Sequence, residues 1–171
     1  MDMTSVMEAA VKAGAVEQVC KMTGITKKEA NSAIEVVLPL LISGMQGQAK
    51  NKDTKEGFVK ALADHGKDDT SDVKAFLSKV DTDDGAKIVK HLLGSHTEEI
   101  AAKAKKKSGL DTRKILMIMA ILAPLLMSQM GKTAEKETAK GGSGNMSDVV
   151  ETILENVDVA DVVKIISLLV K

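Results

Sequence analysis

A chain of 171 residues that is 44% hydrophobic, with 24 basic against 24 acidic side chains, can bury one core without disulfides, and its single Cys20 excludes an internal one. With no Trp, no Tyr and only Phe58 and Phe76, that core must be filled by Leu, Ile, Val, Ala and ten Met, and the base-stacking platforms of single-strand nucleic-acid binders are excluded. Charge is unevenly spread: residues 1–136 hold 21 Lys+Arg against 18 Asp+Glu, and residues 137–171 hold 3 against 6, which makes the tail mildly acidic.

The N-terminal MDMTSVMEAA starts acidic and has no basic stretch ahead of an apolar one, so no secretory signal is expected and the cytoplasm is the expected compartment. Ser5 with Glu8 has the spacing of a capping box and opens a helix over 5–13. A second helix follows over 15–23, between the stops Gly14 and Gly24, with Cys20 read as a small buried hydrophobe. Thr26 with Glu29 then starts a long helix over 27–46 that contains Pro39. Helices over 55–64, 72–80 and 84–93 follow, punctuated by Gly66, a Ser71 cap and Gly94. Ser95 with Glu98 opens 96–107, Gly109 stops it, and an Asp111 cap opens 112–131, which contains Pro124. Gly141, Gly142, Ser143 and Gly144 mark a flexible linker over 137–146, and caps at Ser147 and Asp158 place a tail pair over 148–156 and 159–170. No run alternates as a strand would, so the expected class is all-α.

Sliding the chain on itself by 85 positions places Gly24 on Gly109, Pro39 on Pro124, Leu40 and Leu41 on Leu125 and Leu126, Ser43 on Ser128 and Met45 on Met130, with Thr26 and Asp111 coincident as caps. The expected architecture is therefore a bundle of two duplicated helix–turn–helix units, 15–47 and 97–131, within a domain over 1–136. Proline inside a helix removes an N–H donor and crowds the carbonyl four residues back, here that of Glu35 and of Ala120. Each long helix is expected to bend at its proline, the alternative being a break into two helices there. Ser43 and Ser128 are placed to bond the proline carbonyls. Ile115 to Met127 is apolar throughout and, at thirteen residues, too short for a bilayer, so it reads as the central core helix. Ile34, Val37, Leu38, Leu41, Ile118, Leu122, Leu125 and Leu126 should be among the most buried residues.

The candidate chemistry is sparse. His91 and His96, five apart across Gly94, have poor ligand spacing, and with His65 they read as surface or capping residues, so no metal and no cofactor is expected. Asp81 to Gly85 misses the calcium-loop register and reads as a helix start. Lys103, Lys106, Lys107 and Arg113 are candidate phosphate contacts, although lysines in a last helical turn also meet the negative end of the helix dipole. Nucleophile, phosphate-loop and dinucleotide motifs are absent, so no catalytic residue is named.

The tail helix from Val159 is apolar apart from a narrow stripe of Asp161, Lys164, Ser167 and Lys171, and cannot stay solvated alone. It must dock on its own domain, on another chain or on a membrane. The acidic tail puts the membrane last, and the reach of the linker favours another chain, with Val162, Val163, Ile166 and Leu169 as the candidate interface.

The stretches GITKKEANSAIEVVLPLLISGMQGQA and DGAKIVKHLLG, with SGLDTRKILMIMAILAPLLMSQMGK, resemble the bacterial family catalogued as "domain of unknown function 937". The resemblance rests on Gly-Ile or Gly-Leu after a short helix, the Leu-Pro-Leu-Leu or Ala-Pro-Leu helix and Asp-Gly-x-x-Ile-x-x-His, and covers roughly residues 15–131. It implies a cytoplasmic bacterial all-α protein and transfers no activity or site residue; the tail is richer in Val and Ile than the family pattern. The expected function is that of a non-catalytic interaction or scaffold protein with a protein partner or a second copy of itself. The alternative is a nucleic-acid-associated helical protein, and a small-molecule ligand is left open.

Overall fold

The structure, a computed structural model, describes residue 8, residues 13–141 and residues 144–169, of which 165–169 are described in backbone only. Apart from residues 8 and 13, the expected helix over 5–13, with Ser5 of its Ser5–Glu8 box, lies outside the described residues. Among the described residues nine α-helices are delimited, in order α1 (Ala13–Thr23), α2 (Lys27–Lys50), α3 (Lys55–His65), α4 (Val73–Ser78), α5 (Thr82–Leu93), α6 (Thr97–Ser108), α7 (Thr112–Ala139), α8 (Met146–Glu155) and α9 (Val159–Leu169), with a 3-10 turn over Gly94–His96 between α5 and α6. Among the described residues there is no strand, and the chain is an all-α bundle.

Local chemistry sets most helix starts. Thr26 and Glu29 form the expected capping box, with Glu29 N–H donating to Thr26 Oγ1 at 3.2 Å and Thr26 N–H to Glu29 Oε2 at 2.8 Å. Asp111 accepts from Lys114 N–H at 2.9 Å, and Asp158 from Ala160 N–H at 2.8 Å. Other expected caps shift by a residue or two. Asp72 caps α4 while Ser71 bonds Asp69, and Asn145 rather than Ser147 caps α8. Ser95 caps nothing, because the chain forms a 3-10 turn there and Thr97 Oγ1 donates to Gly94 O at 2.8 Å. Gly14 lies inside α1 and is no stop.

The two proline helices begin with the same backbone. Gly24 and Gly109 are left-handed at φ 71° and 76°, and the caps Thr26 and Asp111 have φ, ψ of −74°, 160° and −69°, 159°. Both helices run unbroken through Pro39 and Pro124, so the break into two helices is not what forms. Ser128 departs from expectation, since its fully buried hydroxyl has no hydrogen-bond partner, while its counterpart Ser43 is exposed.

Helix α7 is the axis of the core. Every residue from Ile118 to Ser128 is buried, and the eight aliphatic residues expected to be most buried have no exposed surface. The helix is 28 residues long, eight past its expected end, which makes it long enough to cross a membrane. Its burial, 78% over its most apolar window, is that of a core helix.

Two neighbours reach the α7 backbone through glycine. The position a Cβ would take at Gly85 of α5 lies 1.9 Å from the Ala120 carbonyl oxygen. That is the carbonyl Pro124 leaves without its helical donor, and only a residue without a Cβ lets the α5 backbone approach it so closely. At Gly131 the corresponding position lies 2.0 Å from the Leu62 carbonyl oxygen of α3.

Candidate functional site

Three surfaces hold the residues singled out from sequence. The first is a pair of clefts that share His65. One, of about 450 Å³, is lined by His65 with Asp68, Asp69, Asp72, Asp81 and Asp84. Its neighbour, of about 350 Å³, is lined by His65 and His91 with apolar Phe58, Ile88, Leu92 and Met127. The loop after α3 folds back so that His65 Nδ1 lies 3.1 Å from Asp68 Oδ2. A histidine among carboxylates is the geometry acid–base chemistry needs, but the hydroxyl in this lining, that of Ser71, donates to Asp69 at 2.6 Å. That bond holds the Asp69 carboxyl below the usual carboxylate range. His96 lies apart from this site and faces Glu99 at 3.4 Å. Among the described residues no three His, Cys, Asp or Glu side chains converge in a way that could hold a metal ion. Cys20 is half-buried, and burial pushes its thiol up.

The second surface is the basic face. Lys103, Lys106 and Lys107 stand at i, i+3 and i+4 near the end of α6, and all are exposed, as is Arg113 at the start of α7. Lys103 pairs with Glu99 at 3.1 Å, and with His96 it lowers that carboxyl. The face is thereby partly neutralised.

The third surface is the C-terminal pair, and it corrects one expectation. Helices α8 and α9 fold back onto α2, and Val162 is buried at 2% exposure inside its own chain, not presented to another. Val150 and Leu154 are buried with it. Val163 is 41% exposed and is the exposed large hydrophobic among the described residues; the side chains of Ile166 and Leu169 lie outside them. The expected linker is also shorter, since α7 runs to Ala139 and α8 begins at Met146. A connection this short holds the pair beside its groove at high effective concentration, which favours docking on the same chain.

The residues that seat the pair carried no sequence signal. Gln46 Nε2 donates at 2.9 Å to both Leu154 O and Val157 O where α8 ends, the first of which also accepts from Val157 N–H at 3.3 Å. Lys55 forms an ion pair with Glu151. A polar residue on a helix gives no hint of a partner 108 positions away.

No curated protein and no solved structure matches this chain. A family profile described as "Bacterial protein of unknown function (DUF937)" matches residues 5–133, which takes in α2, the clefts and α7 as far as Thr133, and stops short of the end of α7 and of α8 and α9. With three quarters of its length in that match, and with the glycine, proline and Asp-Gly features in place on the helices described above, the chain belongs to the DUF937 family of bacterial proteins of unknown function.

Proposed function

We propose that the protein is a non-catalytic interaction or scaffold protein of the bacterial cytoplasm, built from two helix–turn–helix repeats, that associates with a protein through its C-terminal helices. The observation that supports this reading is how α8 and α9 are attached. They are seated on α2 by Val150, Leu154 and Val162, the Gln46 amide and one Lys55–Glu151 pair, while Val163 faces outward between Asp161 and Lys164. A helix pair held at its inner face and apolar at an outward position is suited to pack against a second protein surface.

Light scattering tests it on the full chain, on Val163→Asp and on a chain ending at Gly141. The full chain is expected to exceed the monomer mass as concentration rises, and both variants to lower it. A full chain that stays monomeric at every concentration, with no difference from its variants, would count against the reading.

The alternative, nucleic-acid association, is supported by exposed Lys106, Lys107 and Arg113 beside Lys103. Its test is DNA retardation at about 50 mM salt, where phosphate binding is strongest; no retardation there removes it.

A further inference from the structure

The cleft of about 350 Å³ that His65 and His91 share is walled by α3, α5 and α7, and its depth and its rim differ in chemistry. Phe58, Leu92 and Met127 are buried, and Ile88 beside them is half-buried. An aromatic ring, a thioether and two aliphatic side chains suit a flat aromatic body, because ring–ring and sulfur–ring contacts add to the apolar area it buries.

The rim carries polar groups that the fold leaves unused. His65 Nδ1 lies 3.1 Å from Asp68 Oδ2. An ionised carboxylate only accepts, so Nδ1 carries the hydrogen and the uncharged ring keeps its lone pair on Nε2. The two nitrogens of an imidazole point away from each other, so Nε2 turns from Asp68, and no group among the described residues donates to it. The half-buried Gln48 amide and the His91 ring are likewise without partners among the described residues. A few unpaired polar groups on an otherwise apolar wall are what orients a small ligand. Entry is open on the α3 side, where a Cβ added at Gly57 would meet nothing within 4 Å. Charge selects against anions: Asp53 stands exposed in the lining, and no Lys or Arg lines the cleft among the described residues.

We infer that this cleft binds an uncharged aromatic hydroxyl compound of the phenol or naphthol class, with its ring against Phe58 and Met127 and its O–H donating to His65 Nε2. A plain arene would leave Nε2 unpaired, and an aromatic carboxylate would bring charge against Asp53 with nothing to balance it. No residue of α8 or α9 lines the cleft, so the site stands or falls apart from the association proposed above.

The chain has no Trp and no Tyr, so the fluorescence of a naphthol is read against little background. Full-length protein is titrated into 2-naphthol at about pH 8, where histidine is ordinarily uncharged, and the probe's anisotropy is followed. Competition then uses p-cresol, toluene and benzoate. A saturable rise in anisotropy is expected, with p-cresol displacing the probe at roughly tenfold lower concentration than toluene and benzoate failing to displace it. His65→Phe keeps a ring and removes Nε2, and should weaken 2-naphthol binding roughly tenfold. Gly57→Leu sets a side chain in the open mouth and should abolish binding. Far-UV circular dichroism checks that each variant stays helical; should His65→Phe lose helix, Gly57→Leu and the competition series decide. No saturable rise, a rise that neither variant alters, or toluene or benzoate competing as well as p-cresol overturns the assignment.

Discussion

Gly85 and Gly131 occupy helical positions where alanine would ordinarily be preferred by about 1 kcal/mol. At both, an added methyl would fall within 2.0 Å of a carbonyl oxygen of the crossing helix, and backbone cannot step aside as a side chain can. Gly85→Ala and Gly131→Ala should each therefore destabilise by about 1–3 kcal/mol or more. Gly57→Ala, on the exposed face of α3 with nothing within 4 Å, should stabilise by about 0.5–1 kcal/mol. Urea midpoints of the three variants decide it, and a uniform direction of change would refute the crossing argument. Glu29 makes a pH-dependent contribution. Hydrogen bonds from the Thr26 backbone and hydroxyl hold its carboxyl below the ordinary value. A carboxylate lowered on folding stabilises above its unfolded pKa, about 4.3, and loses that contribution as pH falls through the folded value. Wild type should thus lose more stability than Glu29→Gln over that acid window, as read from midpoints at pH 6 and 3. The Thr26–Glu29 box was readable from spacing because its partners are three residues apart; the glycine contacts were not, because their partners are carbonyls 35 and 69 positions away.

At the scale of the element, α7 carries the core, and its buried centre makes a sharp prediction. Leu122 has no exposed surface, so Leu122→Ala should cost about 2–5 kcal/mol, the spread reflecting how far the cavity can collapse. Thermal or urea unfolding measures it, and a cost under about 1 kcal/mol would mean the helix is less enclosed than described. The length of α7 shows where pattern reading stops. The apolar run marks its centre, but the last turns, from Lys132 on, are polar in sequence and helical because Lys132 Nζ reaches Thr70 at 2.8 Å and Gly131 abuts α3. Similarly, proline in sequence signals a bend or a break, and sequence alone does not choose between them; in the fold both helices run through it.

For the whole molecule, the question is how firmly the C-terminal pair is held. Gln46→Ala removes a donor shared by two carbonyls at the end of α8, of which Leu154 O keeps Val157 N–H, at about 1–3 kcal/mol for the part-buried Val157 carbonyl that loses its side-chain partner. Local opening is expected to precede global unfolding, seen as faster amide exchange over residues 146–162 with little change in α7. Equal acceleration everywhere would instead make the pair an integral part of the core. The sequence alone determined the all-α class, the proline helices, the capping box and the aliphatic centre of α7, since periodicity, caps and turn residues act over three or four positions and need no partner. Tertiary structure decided where the tail docks, that Val162 is covered while Val163 is not, and that His65 lies where an acidic and an apolar cleft meet. Those outcomes depend on which distant groups satisfy the free carbonyls and apolar faces of each helix, and a one-dimensional pattern does not encode that choice.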